Sequence, residues 1–493
     1  MTASPAIASQ GDFVAVDAGR ARHIDGQMPV RKVRLLVGAL LVAFAAVLIF
    51  LAADGLALSM RLSLMVFATT LVCWTIFDLP ETPVALGGAA ALATTGAVNE
   101  EAVYTALGND IVWLMLAASV IAAVLQASGL VERLAFRLLA RFRDVNRLFW
   151  AVTLAIFATA FVIPSTSARA AIFMPVFLGL ASTIGRPGVT RALALLFPSV
   201  ILLSAAASLT GAGAHLVAID FMRRSGGDTP GFLGWALLAA PFALLTSLIA
   251  CGLILRFFLD DADRNWRLDA PAEPTEKRPL STRDKTVLAV TAVIVLALAA
   301  SDLHGVALPV IALVGALVLA SEKVSGMPFR KALKGVEWNL LLFLAGTLVI
   351  GEALLSTGTA TLLAERLIGA FSLIGKPPAW VVVLVAIGIA TFAHIVIASR
   401  TARATVLVPA VALPLSGFGV SPEVLIMATA IGSGFCQTLM VSAKPVALFG
   451  GMEPPAFSPS DLLRLALMLA APFIALLALF ALLIWPALGL TIR

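Results

Sequence analysis

The chain has 493 residues, 60% hydrophobic and 13% charged, with a mean hydropathy of +1.03, whereas an ordinary soluble domain is roughly a quarter charged. That composition excludes a water-soluble enzyme. Lys and Arg number 34 against 28 Asp and Glu, a net +6, and the absence of long basic runs assigns the excess to membrane-flanking loops, not to a nucleic-acid surface.

Residues 1–32 are polar, with no continuous apolar run near the start, and read as a cytoplasmic tail and not a cleaved signal. A bilayer core about 30 Å thick asks for about 20 apolar residues per helix. Stretches near 33–53, 62–77, 83–98, 110–128, 194–218, 232–258, 286–301, 305–321, 338–354, 424–448 and 462–488 give about eleven candidate transmembrane helices. Two further apolar regions, 149–182 and 379–416, are too long for one span and are broken by PSTSAR at 164–169 and SRTAR at 399–403. Each is predicted to be a re-entrant hairpin, whose tip must be buried in protein because irregular backbone is not tolerated against lipid. The charged stretch 259–285 reads as a cytoplasmic linker.

Short-loop cations orient the chain. Arg20, Arg22, Arg31 and Lys32; Arg133, Arg137, Arg141, Arg143 and Arg147; and Lys323, Arg330, Lys331 and Lys334 share one side if the amino terminus is cytoplasmic, while Arg223 and Arg224 dissent. The expected location is the cell membrane, of bacterial inner-membrane type. Cys73, Cys251 and Cys436 each sit in apolar stretches without metal-like or redox spacing and read as packing residues.

An internal repeat is visible. Residues 164–175, PSTSARAAIFMP, align without gaps on 398–409, ASRTARATVLVP, with identity at Ser165/Ser399, Ala168/Ala402, Arg169/Arg403, Ala170/Ala404 and Pro175/Pro409. An odd number of crossings separates the copies, so the second is inverted. Inverted repeats with interrupted helices point to a secondary transporter. The expected domains are a tail at 1–32, a first transmembrane helix and loop at 33–61, repeat 1 at 62–258 and repeat 2 at 286–493. Each hairpin precedes a second interrupted segment, SLTGAGAHLVA at 208–218 and CQTLMVSAKPVALFGG at 436–451, broken by Gly211 and Gly213 and by Lys444 and Pro445. The four breaks are expected to converge on one interior site.

Ser165 and Ser399 stand where the second arm of each hairpin starts. There a serine caps the helix, and free N–H groups beside the positive end of the dipole attract anions. Arg169 and Arg403 follow one turn later, at an insertion cost of about 2.5–3.5 kcal/mol each. They either brace hairpin carbonyls, snorkel to an interface or face an anion. The acids Asp78, Asp110, Asp220, Asp302 and Glu352 lie mostly toward span ends. Arg400 and Lys444 add cations at the second-half breaks, and this surplus makes an anion the expected cargo. His215 is a candidate proton carrier or a histidine bonded into the broken backbone. His394 reads as packing, and His23 and His304 as tail and loop. Without GxxxxGK[ST], GxGxxG after a strand or HExxH, no ATPase, nucleotide or metallopeptidase reading stands, and no metal site or organic cofactor is expected. Transport must run on a gradient or by exchange.

At this point residues 62–490 resemble the divalent anion:sodium symporter (DASS) family of the ion transporter superfamily. The triplets Ser165-Thr166-Ser167 and Ser399-Arg400-Thr401 stand where the family has Ser-Asn-Thr, with Pro175 and Pro409 in place. LTGAGAHL at 209–216 and VSAKP at 441–445 match its unwound helices, and WNLLLFLAG at 338–346 and DLLRLAL at 461–467 match other segments. The resemblance implies di- or tricarboxylate or sulfate as substrate, an elevator-like motion, a homodimer and a sodium ion at each tip. Departures qualify this. Thr166, Arg400 and His215 replace asparagines and Lys444 replaces a proline, so the residues argue for at most one sodium.

The sequence thus predicts an all-α polytopic membrane protein with two inverted-topology repeats, not an enzyme, that carries a small multivalent anion (di- or tricarboxylate, sulfonate or sulfate) by alternating access. Exchange with little sodium dependence is favoured over ordinary sodium symport or an anion channel. The substrate set is Ser165, Thr166, Ser167, Gly211, Ser399, Arg400, Thr401 and Lys444. The first-half sodium set is Ser165, Thr166, Thr210, Gly211 and Gly213.

Overall fold

The computed structural model describes residues 28–51, 56–139, 141–267, 279–371 and 375–490, so the expected tail up to residue 27 and the middle of the linker lie outside the described residues. Every regular element among them is helical, apart from one isolated bridge between Asp144 and Arg267. Four helices come first: α1 (Met28–Leu51), α2 (Leu58–Thr75), α3 (Glu81–Thr94) and α4 (Glu101–Leu107). A first series follows, α5 (Asp110–Ser128), α6 (Leu130–Leu139), α7 (Val145–Ala158), α8 (Thr166–Ile184), α9 (Pro187–Ser204), α10 (Gly213–Arg224) and α11 (Phe232–Phe257). Then come α12 (Asp261–Arg264), α13 (Thr282–Ala299), α14 (Ser301–His304), α15 (Leu308–Leu319) and α16 (Phe329–Leu333). The second series is α17 (Trp338–Ser356), α18 (Thr359–Phe371), α19 (Ala379–Phe392), α20 (Arg400–Leu407), α21 (Leu413–Ser416), α22 (Pro422–Gly432), α23 (Lys444–Gly450), α24 (Pro459–Leu479) and α25 (Trp485–Ala487).

Among the described residues, eight helices are long and apolar enough to cross a membrane, and four apolar helices are shorter. The eleven stretches expected from sequence map onto these elements unevenly. The stretch 83–98 is α3, of 14 residues, and 286–301 is α13, whose first turn carries Arg283, Asp284 and Lys285. The stretches 194–218 and 424–448 are not single helices: each is broken, α9 from α10 and α22 from α23.

The two series share one order of elements. In each, a long helix (α5, α17) ends at a glycine in the left-handed region, Gly129 at φ 61° and Gly358 at φ 78°, a conformation a side chain would strain. A short helix with apolar and charged faces follows, α6 (LVERLAFRLL) or α18 (TATLLAERLIGAF). Both are too polar to read as spans. Next comes a helix ending in a 3₁₀ turn (Thr159–Phe161, Ala393–Ile395), then a tip and a returning helix, as the broken apolar runs predict. The return of the second hairpin passes through a π-helical stretch, Val408–Ala412, where Pro409 lacks the N–H that a regular helix needs.

The halves are interlocked. The broken helix of the first, α10, packs on α20 and α22 of the second, while α23 packs on α8 and α9. Phe449 on α23 meets Phe177 and Phe197 with ring centroids 5.5 and 5.6 Å away, edge-on and stacked contacts of a favourable kind. The buried indole of Trp235 donates to Ala206 O at 3.0 Å, holding the first break from behind.

Candidate functional site

The first break exists because the chain cannot continue as a helix through it. A Cβ on Gly211 would stand 2.1 Å from Ala205 O, so only glycine allows the 3₁₀ turn Leu209–Gly211 to fold back on the end of α9. A Cβ on Gly213 would stand 2.9 Å from Thr401 Oγ1 and 3.4 Å from Leu340 Cδ1. The start of α10 is therefore in contact with the second hairpin tip and with the first turn of α17.

Both tip serines cap their helices. Ser165 Oγ accepts from Ala168 N at 3.2 Å and Ser399 Oγ from Ala402 N at 3.3 Å. Ser165 also donates to the carboxylate of Glu337, the residue preceding α17. Thr166 and Ser167 open α8 and are half-buried, and Thr401 is buried against Gly213. Thr210 is buried, its Oγ1 3.2 Å from Ser208 Oγ. A cavity of about 30 Å³ beside it, lined also by Phe161, Val162, Pro164 and Thr291, has room for one water.

Arg169 and Arg403 are fully buried and both are braces. Arg169 donates to Ile156 O at 2.7 Å, Ile201 O at 3.1 Å, Ser204 Oγ at 2.6 Å and Thr159 Oγ1 at 3.2 Å. Arg403 donates to Ile397 O at 2.7 Å, Ala398 O at 2.9 Å, Ser433 O at 2.6 Å and Cys436 Sγ at 2.9 Å. Ile156 and Ile201 lie in the last turns of α7 and α9, and Ser433 follows α22. Each guanidinium therefore meets the negative ends of helix dipoles, which stand in for the missing carboxylates.

Arg400 differs. Its Nη2 donates to His215 Nε2 at 2.8 Å, while Nε and Nη1 are buried with no hydrogen-bond partner. His215 Nδ1 lies 2.9 Å from Ser208 O. A carbonyl only accepts and a guanidinium only donates, so this geometry fixes the tautomer: Nδ1 carries the proton and Nε2 offers its lone pair. His215 is thus both bonded into the broken backbone and joined to Arg400, with its ring 4.9 Å from that of Trp235. A Cβ on Gly434 would stand 2.5 Å from Arg400 Nη2, so the second break closes over the same guanidinium. No ion pair satisfies Arg400 among the described residues.

Lys444 is not brought into this cluster. It opens α23 but is exposed, and no contact among the described residues joins it to Arg400. His394 is buried and bonded on both nitrogens, to Thr391 O and Thr438 Oγ1, each at 2.7 Å, a satisfied packing residue. Three contributors escape a reading of the sequence: Glu337, which looks like a flank of the span beginning at 338; Gly434; and Cys436, which stands against Arg403. Arg223 and Arg224, which dissent from the charge rule, are paired, Arg223 with Asp110 at 3.0 Å and Arg224 with Asp220 at 2.7 Å and Glu352 at 3.4 Å.

Interrupted helices around an unpaired interior cation, in an all-helical apolar chain, define a multi-pass membrane transporter and not an enzyme. The chain belongs to the citrate transporter family (CitMHS), whose sequence model matches residues 64–432. A Cupriavidus necator protein described as a membrane protein is 25% identical over 312 residues, 61% of this chain and 60% of that protein. The match thus spans about 60% of that relative's length. The crystal structure of the Alcanivorax borkumensis YdaH transporter superposes with a TM-score of 0.55 at 18% identity, over 76% of this chain and 85% of that one. MtrF of Neisseria gonorrhoeae, described among antimetabolite efflux pumps, gives 0.49 at 13% identity, over 90% and 97%.

Proposed function

We propose that the protein carries a small multivalent organic anion of the citrate class across the cell membrane by alternating access, with the amino terminus cytoplasmic and the two series acting as inverted repeats. One observation carries this reading: Arg400 is a buried guanidinium at the meeting of both breaks, two of its nitrogens lack partners, and no carboxylate pairs with it among the described residues. Leaving a buried charge unpaired is costly, and a substrate carboxylate supplies what is missing. Membership of the citrate transporter family supports the substrate class. The narrower kinship with divalent anion:sodium symporters, an elevator motion and a homodimer rest on the tip triplets and belong to the proposal.

The buried arginines take up helix-end carbonyls that could otherwise face a cation. In the second half Arg403 occupies the carbonyls of Ile397, Ala398 and Ser433, and in the first Arg169 occupies those of Ile156 and Ile201. Of the first-half candidates, Thr210, Gly211 and Gly213 lie outside these bonds, so the reading allows at most one sodium, with little effect on binding. His215 offers another coupling: when an anion draws Arg400 away, Nε2 is released to accept a proton delivered from the bulk solvent as hydronium. The test is thermal stability of purified protein titrated with citrate, in sodium and in choline. A ligand that binds the folded state raises Tm by mass action. Citrate should stabilise the wild type equally in both salts and leave Arg400→Ala unmoved. No citrate effect on the wild type, or full stabilisation of Arg400→Ala, contradicts the reading.

A further inference from the structure

Glu337 holds the first hairpin in an arrangement with no counterpart in the other repeat. At the corresponding place before α5 stands Asn109, whose side chain caps its own helix, accepting from Ile111 N at 2.9 Å. Glu337 makes no such bond to α17. Its carboxylate instead accepts from Ser165 Oγ, across 172 residues and from one half of the chain to the other. No ion pair engages Glu337 among the described residues. One turn on, Leu340 lies against Gly213, which in turn lies against Thr401. The start of α17 therefore ties the first tip to the first break and the second tip.

The place where Glu337 sits is itself a place for an anion. Ser165 opens a 19-residue helix, and its hydroxyl and the dipole end favour a negative group. The protein has filled it with a carboxylate of its own. We propose that Glu337 is a latch: in the empty carrier it occupies the hydroxyl that a substrate carboxylate takes, docking the first hairpin on α17, and the substrate displaces it. This inference rests on the anion reading of the site. One hydroxyl donates one proton, and two carboxylates at one donor repel, so the two states exclude each other.

The experiment is hydrogen-exchange mass spectrometry of ligand-free protein, reading the amides of residues 164–170, in wild type, Glu337→Ala and Glu337→Gln, followed by citrate titration of all three. Glu337→Ala should exchange roughly tenfold faster at the tip, the factor expected from losing one charge-assisted hydrogen bond. Glu337→Gln, which still offers a neutral acceptor and keeps the side-chain size, should fall between and covers the case in which the alanine variant fails to fold. Citrate affinity should rise in the same order. Unchanged exchange at the tip in the variants overturns the latch even if citrate affinity changes, because a merely electrostatic acid would not move it. Faster exchange with no citrate binding in any form would keep Glu337 as the contact that docks the first hairpin but overturn its displacement by substrate, together with the anion reading.

Discussion

Three arginines in the hairpins look alike in sequence and do different work. Arg169 and Arg403 occupy equivalent positions and fasten helix ends, whereas Arg400 sits in the tip triplet, bonded to His215 with two buried nitrogens left unpartnered. Arg403→Ala strips the carbonyls of Ile397, Ala398 and Ser433 of their donor, at about 1–3 kcal/mol each. It should lower Tm and folded yield sharply, as should Arg169→Ala. Arg400→Ala removes a buried, incompletely bonded charge, so its Tm without ligand should stay level or rise while citrate binding is lost. Equal loss of stability in Arg400→Ala and Arg403→Ala would erase this division. The repeated Ser-x-x-x-Arg spacing marks the pair in the sequence but leaves bracing, snorkelling and anion binding open, because the helix ends that each arginine meets lie far away along the chain. Lys444 misleads for a related reason: an interruption marks a break in the backbone, and the direction of the lysine side chain is set by packing that the sequence does not display.

At the scale of elements, the breaks are legible because apolar runs of more than one span's length carry polar interruptions. The short helices α6 and α18 are not, since their charged faces dilute the apolar signal that marks a span. Which break faces which hairpin is equally hidden, because it depends on contacts hundreds of residues apart. Gly211→Ala tests the first break directly: with Ala205 O only 2.1 Å from the new methyl position, the turn must shift. Citrate binding should fall with overall helix content, read by circular dichroism, unchanged. Normal binding would show that the break tolerates rearrangement. Further along α10, Arg224→Ala leaves the buried carboxylate of Asp220 without its main partner, at about 3–5 kcal/mol. Its Tm should fall well below wild type, and Asp220→Asn added to it should restore part of the loss.

Across the whole molecule, the repeat of elements and the interlocking of the halves bring the second hairpin tip and both breaks around one guanidinium. A site whose fixed charge is permanent behaves differently from one charged by a bound ion. Empty, it carries buried positive charge, which opposes its movement through a low-dielectric barrier; loaded with an anion it is closer to neutral. Exchange of anion for anion should therefore run faster than net uptake. The most direct measurement is citrate counterflow in liposomes preloaded with citrate, with sodium replaced by choline on both sides and Arg400→Ala as the control. Saturable counterflow that survives the replacement, exceeds net uptake and disappears in Arg400→Ala is the predicted result; a strict requirement for sodium with steep, cooperative dependence would contradict it.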